Sequence, residues 1–447
     1  MQFAGIRTDE NFQQIGEPHN ILVKLNDDTL PSPDAVMVTG ITPQMTLSDG
    51  YTEAEFAKLL VEEVFTPDTV TVGFNNIRFD DEFIRALLWR NFYDPYEWAW
   101  KDGRSRWDLL DVVRMTRALR PDGINWPVVD GVATNRLELL SKENGLVHTK
   151  AHDALSDVEA LIGVTKLLQT KQPQLFDYLL TLRDKKEIKK LVNLDDKKPF
   201  VYVSGRYDSE FNKATVAFQL TSAPNGNVLV YDLRYDPSDF VQLSKKELEK
   251  KIYASWEERK AEGFVKLPVK QLQYNRAPAV APLGVLAAED GWKKIGLDQA
   301  TVQTHMQTLL SHPDFAETLR SIFENKPEWK KLPDPEGQLY DGFLNDRDKL
   351  RVEAVRNADE KTLADFQPEF QDERLPGLLL HYKARSFPKT LSQDEQATWE
   401  AWRETHLQTQ LPGFMKSLQR LAKTAADDFL LQELQLWAES ILPSTDS

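Results

Sequence analysis

Hydrophobic and polar positions in the first third of the chain alternate between strand-like and helix-like patterns. Residues 2–7 and 20–26 are short apolar runs joined by a polar turn that contains glycine, and this pattern predicts an antiparallel pair of strands. Residues 68–76 form another apolar run, which predicts a buried strand leading into a tight loop. A helix is predicted to begin within residues 79–83. This part of the chain is therefore predicted to mix strands with helices.

The middle of the chain has the pattern of a small β structure. Apolar runs at residues 200–205, 215–220 and 227–232 are separated by turn residues, which is typical of a β barrel or sandwich. A helix near residues 244–262 and a strand near residues 263–273 are predicted to follow. These elements predict a second folding unit after the mixed first one.

The last third of the chain is predicted to be helical. Strand-like patterns disappear from about residue 295 onward, and long amphipathic patterns occupy residues 395–408 and 412–440. Basic residues within 383–389 either follow a phosphate backbone or belong to a solvated turn, and the charges alone favour the turn. The three patterns agree with a length of 447 residues, which is enough for about three domains.

Composition and charge exclude several classes of site. The chain has no cysteine, so disulfides, thiolate catalysis and cysteine-ligated metals are excluded, and a metal site must use oxygen or imidazole ligands. A formal charge of -15 argues against binding of polyanions by the whole surface, so nucleic acid requires a local basic and aromatic groove. The first residues resemble no secretory signal and no run has the length of a membrane span, so we expect a cytoplasmic protein without a membrane.

Residues 151–157 contain a candidate catalytic pair, His152 and Asp157. On one helix these two residues would point about 140° apart, so one of them must lie outside the helix. We predict that His152 lies in the entry loop, that Asp153 caps the helix and that Asp157 lies one turn in, so that loop and helix converge. The arrangement is interpreted as half of a metal-dependent site that cleaves phosphodiesters. The alternative is an ordinary helix cap with a solvated aspartate.

Asp80 is a second candidate metal ligand. It follows the strand predicted at residues 68–76 and falls in the first turn of the next helix, where a rigid scaffold holds a carboxylate in place. The alternative is that Asp80 or Asp81 only stabilises the helix terminus.

Residues 85–127 are rich in aromatic rings and arginines. Rings that stack on bases, interleaved with guanidinium groups that hold phosphates, favour binding of single-stranded nucleic acid. The alternative is an aromatic core with arginines on its surface. The set comprises Trp89, Arg90, Phe92, Tyr93, Tyr96, Trp98, Trp100, Arg104, Arg106, Trp107, Arg114, Arg120 and Trp126.

Several motifs resemble those of the bacterial exodeoxyribonuclease I family, whose members are DEDDh 3′–5′ exonucleases. The motifs are GFNNIRFDDE at 73–82, RNFYDPY at 90–96, SRWDLLD at 105–111, GINWP at 123–127 and AHDA at 151–154. Further similar stretches lie at residues 274–278, 339–343 and 382–388. The resemblance implies an α/β ribonuclease H-like exonuclease domain at 1–170, an SH3-like β-barrel domain at 171–327 and an all-α C-terminal domain at 328–447. In the family, these domains surround a channel for single-stranded DNA.

The resemblance also implies the chemistry. In the family, four carboxylates hold two Mg²⁺ ions, a histidine acts as general base, and single-stranded DNA is degraded from its 3′ end to 5′-mononucleotides. By position, Asp80 and Asp157 match the third and fourth acidic residues and His152 matches the base. The matched substrate-contacting positions are Arg136, Arg85, Tyr96, Trp100, Arg114 and Arg120.

The resemblance carries further expectations about activity and partners. The first acidic motif of the family, Asp-x-Glu, would precede Met1, so we expect the chain as written to be impaired, and a non-catalytic DNA-binding remnant is an alternative. A proofreading subunit or an oligoribonuclease is a third possibility, against which the two extra domains argue. The expected partner is the acidic C-terminal tail of the single-strand DNA-binding protein, and the expected state is a monomer acting in DNA repair and recombination.

Overall fold

The computed structural model describes residues 1–146, 153–288, 290–326, 331–423 and 428–442. Its strands are β1 (Gln2–Gly5), β2 (His19–Leu22), β3 (Val70–Gly73), β4 (Ser105–Asp108), β5 (Val128–Val129), β6 (Val132–Ala133), β7 (Phe200–Val203), β8 (Ala214–Ala223), β9 (Asn227–Asp232), β10 (Val269–Leu272) and β11 (Ala279–Pro282). The helices up to the end of the barrel region are α1 (Pro33–Thr39), α2 (Pro43–Asp49), α3 (Glu53–Leu59), α4 (Asp80–Arg90), α5 (Leu109–Leu119), α6 (Leu137–Glu143), α7 (Ala154–Lys171), α8 (Pro173–Thr181), α9 (Lys185–Leu191), α10 (Lys245–Ile252), α11 (Trp256–Lys260) and α12 (Gly291–Lys294). The remaining helices are α13 (Gln299–Leu310), α14 (Pro313–Glu324), α15 (Asp346–Asn357), α16 (Glu360–Asp365), α17 (Leu375–Ser386), α18 (Gln393–Leu421) and α19 (Asp428–Ile441).

The first region places two short strand pairs among helices. β1 and β2 are antiparallel with Phe3 opposite Ile21, which confirms the predicted pair. β3 and β4 are parallel, and Gly73 at the end of β3 is the register partner of Asp108. The prediction that β3 is buried was wrong, because Val70 is exposed and the other residues of the strand are only partly covered. Among the described residues, β3 pairs with β4 alone, so its other edge stays open.

The middle region is a five-stranded antiparallel sheet in the order β10-β9-β8-β7-β11. It confirms the three predicted strands, and the side chains of β7 and β9 lie almost entirely in the core. The single helix predicted near 244–262 was wrong, because Ser255 starts a new helix, α11, with its own capping box. The strand predicted near 263–273 is limited to β10.

The last region is helical, as predicted. The patterns at 395–408 and 412–440 do not each correspond to one helix, since α18 runs through Pro412 to Leu421. Leu407, Phe414 and Leu418 lie on both sides of the proline and are buried together against α19. Their burial therefore offsets the cost of about 3 kcal/mol for a proline inside a helix.

The C-terminal helices pack back onto the first region. Leu30 and Val36 share an apolar cluster with residues of α18 and α19. Arg420 also forms an exposed ion pair with Asp34 at 2.6 Å. No helix in the described part of the chain is long and apolar enough to cross a membrane.

Candidate functional site

The N-terminus of α7 is held against β1 and presents Asp157. Asp153 caps the helix and accepts a hydrogen bond from the Ser156 amide at 3.3 Å. The Gln2 side chain of β1 forms two hydrogen bonds with this cap. Its Nε2 donates to Asp153 at 3.1 Å, and its Oε1 accepts from the Ala154 amide at 3.3 Å. Asp157 lies in the first turn and is partly exposed. The predicted cap and the predicted place of Asp157 are confirmed, whereas His152 lies outside the described residues.

Asp80 is delivered by a tight loop after β3. The loop turns at Asn75, whose φ is 68°, and a short 3₁₀ turn, Asn76–Arg78, leads to the start of α4. Asp80 is exposed in the first turn of α4. Loss of hydration next to the protein raises the pKa of the Asp80 carboxyl, and the charge of the neighbouring Asp81 raises it further. Both effects disfavour the charged form, and a bound cation would favour it, so the position suits a metal ligand.

Asp81 differs from Asp80 in its surroundings. It is buried and forms an ion pair with Arg106, which is buried as well. Asp81 therefore holds the loop in place, and Asp80 is the one of the two that solvent can reach.

Of the predicted aromatic contacts, Tyr96 lies beside α4 and Trp100 is exposed to solvent. Trp100 exposes 64% of its surface, as a base-stacking ring must. Tyr96 is half-buried, and the guanidinium of Arg85 lies 5.9 Å from the centre of its ring. Arg85 is buried and donates to Glu82 at 2.7 Å, and its buried Nε has no hydrogen-bond partner among the described residues. The structure thus brings Arg85 and Tyr96 together.

Residues from distant parts of the chain meet at the same point. Tyr340 donates a hydrogen bond from its hydroxyl to Glu82, and Arg276 lies 3.8 Å from Glu82. The ring of Phe343, which is 87% exposed, lies 5.8 Å from the ring of Tyr96. Sequence reasoning gave Glu82, Tyr340 and Phe343 no role. Their motifs at 73–82 and 339–343 were the available signal, but motifs do not reveal that the two stretches touch.

The other predicted substrate-contacting arginines lie at different places. Arg114 donates to Asp111 at 2.6 Å and packs against Gly205 of the middle region. Arg120 donates to the carbonyl of Val285 at 3.3 Å, also in that region. Arg136 is exposed at the N-cap of α6 with Glu138 3.6 Å away. Contact of these arginines with DNA remains a prediction.

Comparisons with known proteins cover the whole chain. Family models match residues 1–165 as "Exonuclease", 183–325 as "Exonuclease I SH3-like domain" and 333–441 as "Exonuclease I C-terminal domain". Exodeoxyribonuclease I of Haemophilus influenzae is 40% identical over 430 residues, which are 96% of this chain and 91% of the relative. The same protein of Escherichia coli K12 is 39% identical over 99% of this chain and 94% of its own length. The chain belongs to the exodeoxyribonuclease I family.

Solved structures of this exodeoxyribonuclease I family agree with the sequence match. E. coli exonuclease I in complex with a dA16 oligonucleotide has a TM-score of 0.94 at 38% identity, over 99% of this chain and 95% of that one. The enzyme of Methylocaldum szegediense has a TM-score of 0.93 at 37% identity, with the same coverage. The predicted fold class is confirmed, and the similarity favours a nuclease over a non-catalytic remnant. The domain boundaries at 170 and 327 and the absence of an Asp-x-Glu motif remain predictions.

Three residues of the types that bind metal ions lie close together in the described part of this family member. Asp334, Glu336 and His381 offer oxygen and nitrogen atoms within 4.8 Å of one another. Glu336, however, lies 2.6 Å from Arg385 and 2.6 Å from His381. Arg385 also pairs at 2.6 Å with the fully buried Asp28 of the first region. The group is therefore part of a buried ion network that joins the exonuclease and C-terminal domains. The positive charge of Arg385 would repel a metal cation bound there.

Acid is expected to weaken this network. Burial of Glu336 opposes ionisation, yet Arg385, His381 and Arg90 outweigh it and lower the pKa of Glu336 to about 2 from an ordinary 4.5. A carboxyl group with a lowered pKa in the folded state contributes stability that is complete above pH 4.5 and is lost as the pH falls toward 2. We expect the thermal midpoint to fall over this pH window, with a smaller slope in Glu336→Gln. Equal slopes for the two proteins would contradict the assignment.

Proposed function

We propose that this chain is a 3′ to 5′ exonuclease that degrades single-stranded DNA and releases 5′-mononucleotides. The observation that carries the proposal is the match, over 99% of the chain, to E. coli exonuclease I in complex with a dA16 oligonucleotide. Two carboxylates at helix starts support it, because Asp80 in α4 and Asp157 in α7 are candidate ligands for the metal ions of such a nuclease. DNA repair and recombination are the processes in which such an activity would serve.

We propose Mg²⁺ as the cofactor, with two ions per site, as the family resemblance implies. Asp80 and Asp157 offer hard oxygen ligands, and Mg²⁺ in proteins is commonly held by one or two carboxylates completed by water and substrate phosphate. The E. coli ExoI-ssDNA complex has been solved in a zinc-bound form, which supports a divalent cation as cofactor. When bound, the ions neutralise the charge that develops on the phosphate oxygens and activate water. Asp80 and Asp157 would hold the cations, and His152 would act as the general base that accepts a proton from water.

The surfaces around Tyr96 are proposed to hold the single strand. An exposed ring such as Trp100 stacks on any base, which agrees with degradation that does not depend on sequence. Arg136 is exposed and can hold a phosphate. Arg85 beside Tyr96, and Arg114 and Arg120 next to the SH3-like domain, would hold further phosphates of the strand. We further propose the acidic tail of the single-strand DNA-binding protein as partner, a monomeric state and a cytoplasmic location.

A direct assay tests the proposal. The purified chain is incubated with Mg²⁺ and an oligonucleotide labelled at its 3′ end, and the products are separated by chromatography. Early release of labelled 5′-mononucleotide is expected, with much slower cleavage of an RNA of the same sequence. Tight binding without release would overturn the nuclease function, and equal cleavage of RNA would favour an oligoribonuclease.

Replacement of Trp100 is expected to weaken binding of the single strand. Loss of one stacked base costs about 1–3 kcal/mol, so Trp100→Ala should raise the Kd for a dT oligonucleotide by about 5- to 150-fold. Fluorescence anisotropy without a divalent cation measures the Kd while preventing cleavage. Trp256→Ala is the matched control, because Trp256 exposes 67% of its surface on α11 of the SH3-like domain. Equal effects of the two variants would exclude a specific role for Trp100.

A further inference from the structure

The proposed metal and DNA contacts include no residue of the motif SRWDLLD at residues 105–111. In the structure it forms β4 and the beginning of α5. β4 lies parallel to β3, and the two strands end side by side at Gly73 and Asp108. The loop that leads to Asp80 therefore starts next to the junction of β4 and α5. The motif is therefore in place to act on the candidate metal ligand through the loop.

Three residues of the motif contact the segment that surrounds Asp80. Asp108 accepts a hydrogen bond from the Asn75 amide at 2.8 Å. Asp111 accepts from Arg78 at 3.4 Å. Arg106 forms the buried ion pair with Asp81. The loop is thus held before, within and after its 3₁₀ turn by one short stretch of chain.

The Asp108 contact holds the residue at which the loop turns. Asn75 has a φ of 68°, in the left-handed region that asparagine tolerates better than most residues with a side chain, and the loop changes direction there. The loop is also tight, because a Cβ added to Gly73 would lie 2.5 Å from the Cβ of Asn76. The oxygen of Asp108 that holds Asn75 also accepts from the Leu110 amide at 3.0 Å, so a single buried atom ties the loop to the start of α5.

We propose that Asp108 is a positioning residue for the nuclease reaction, which fixes the loop after β3 so that Asp80 meets its cation in the productive place. This inference rests on the proposed function. Misplacement of a reacting group by about 1 Å costs on the order of 100-fold in rate, so a loop of this kind gains from a rigid support. An ordinary helix cap would stabilise α5 without affecting the site.

Three variants separate positioning from capping. Asp108→Ala removes the acceptor, whereas Asp108→Asn keeps a side-chain oxygen that can accept from both amides. Asp184→Ala is the matched control, since Asp184 caps α9 through the amide two residues later, at 2.8 Å, and is exposed. For Asp108→Ala we expect kcat to fall about 10- to 100-fold with KM nearly unchanged, and the Kd for Mn²⁺ measured by calorimetry to rise about tenfold. Asp108→Asn should restore most of both values, and Asp184→Ala should change neither.

Hydrogen exchange gives a readout that does not depend on catalysis. In Asp108→Ala, amide protection across residues 74–80 should fall, while protection elsewhere in the exonuclease domain is retained. Unchanged kcat and Mn²⁺ affinity in a folded Asp108→Ala protein would reduce Asp108 to a helix cap and overturn the proposal. If that variant does not fold, Arg78→Ala removes the second brace from a side chain that is 38% exposed, and normal Mn²⁺ affinity there would count against the proposal. If the unaltered protein releases no nucleotide, the proposed function fails, but the exchange and Mn²⁺ comparisons still decide the role of Asp108.

Discussion

Asp157→Asn is expected to reduce nucleotide release by at least about 100-fold while leaving the fold intact. The amide has the shape of the carboxylate but lacks its charge, and stabilisation of the reacting phosphate by a bound divalent cation amounts to several kcal/mol. Asp157 lies in the first turn of α7, and the cap that orients this turn is formed by Asp153 and Gln2. The substitution leaves that cap unchanged. Asp80→Asn is expected to have a similar effect from the start of α4.

The comparison is made on a 3′-labelled oligonucleotide over a range of Mg²⁺ concentrations. Asp314→Asn is the matched control, because Asp314 is also an aspartate in the first turn of a helix but lies in the SH3-like part of the chain and is exposed. Full activity of the control with a large loss in Asp157→Asn identifies a ligand of the cation. A loss of less than about threefold in both Asp157→Asn and Asp80→Asn would remove these residues from the active site, since metal chemistry does not tolerate missing ligands.

Arg385→Ala is expected to destabilise the protein by about 3–5 kcal/mol. The side chain of Arg385 is only 9% exposed and bridges Asp28, which is fully buried in the first region, and Glu336 of the C-terminal region, each at 2.6 Å. Removal of the guanidinium leaves two carboxylates in the interior without their main partner. The cost of an uncompensated buried charge exceeds the net value of the pair, which makes removal of one partner so damaging.

Urea unfolding followed by tryptophan fluorescence measures the effect, because Trp399 and Trp402 lie within about 6 Å of Arg385. Arg420→Ala is the control, since Arg420 also joins the C-terminal domain to the first region, through Asp34, but both side chains are more than half exposed. A surface pair of this kind contributes about 0–1 kcal/mol. Similar losses in the two variants would show that burial does not decide the value of these pairs.

Local signals predicted the elements that carry the candidate ligands. The change from an apolar run to a capped helix is encoded within about ten residues, so Asp153 was correctly assigned as a cap and Asp157 as a residue of the first turn. The same reasoning placed Asp80 at the start of α4. The resemblance to the family then indicated the chemistry, which no helix cap shows by itself.

Contacts between distant residues were not predictable in the same way. The basic stretch 383–389 was interpreted as a phosphate track or a solvated turn, but the buried Lys383 pairs with Glu395, and the largely covered side chain of Arg385 pairs with Glu336 and Asp28. A charge pattern contains no information about a partner more than 300 residues away. For the same reason the pattern did not show that Pro412 lies inside a continuous helix, which packing stabilises.

The sequence by itself determined the mixed, β and helical character of the three regions, the helix starts that present Asp80 and Asp157, and membership of the family through its motifs. Only the tertiary structure decided which charged residues face solvent and which are consumed by ion pairs, and that Asp108 braces the loop before Asp80. The physical reason is range. Caps and periodicity act over a few residues, whereas burial and ion pairing depend on surfaces that the folded chain brings together.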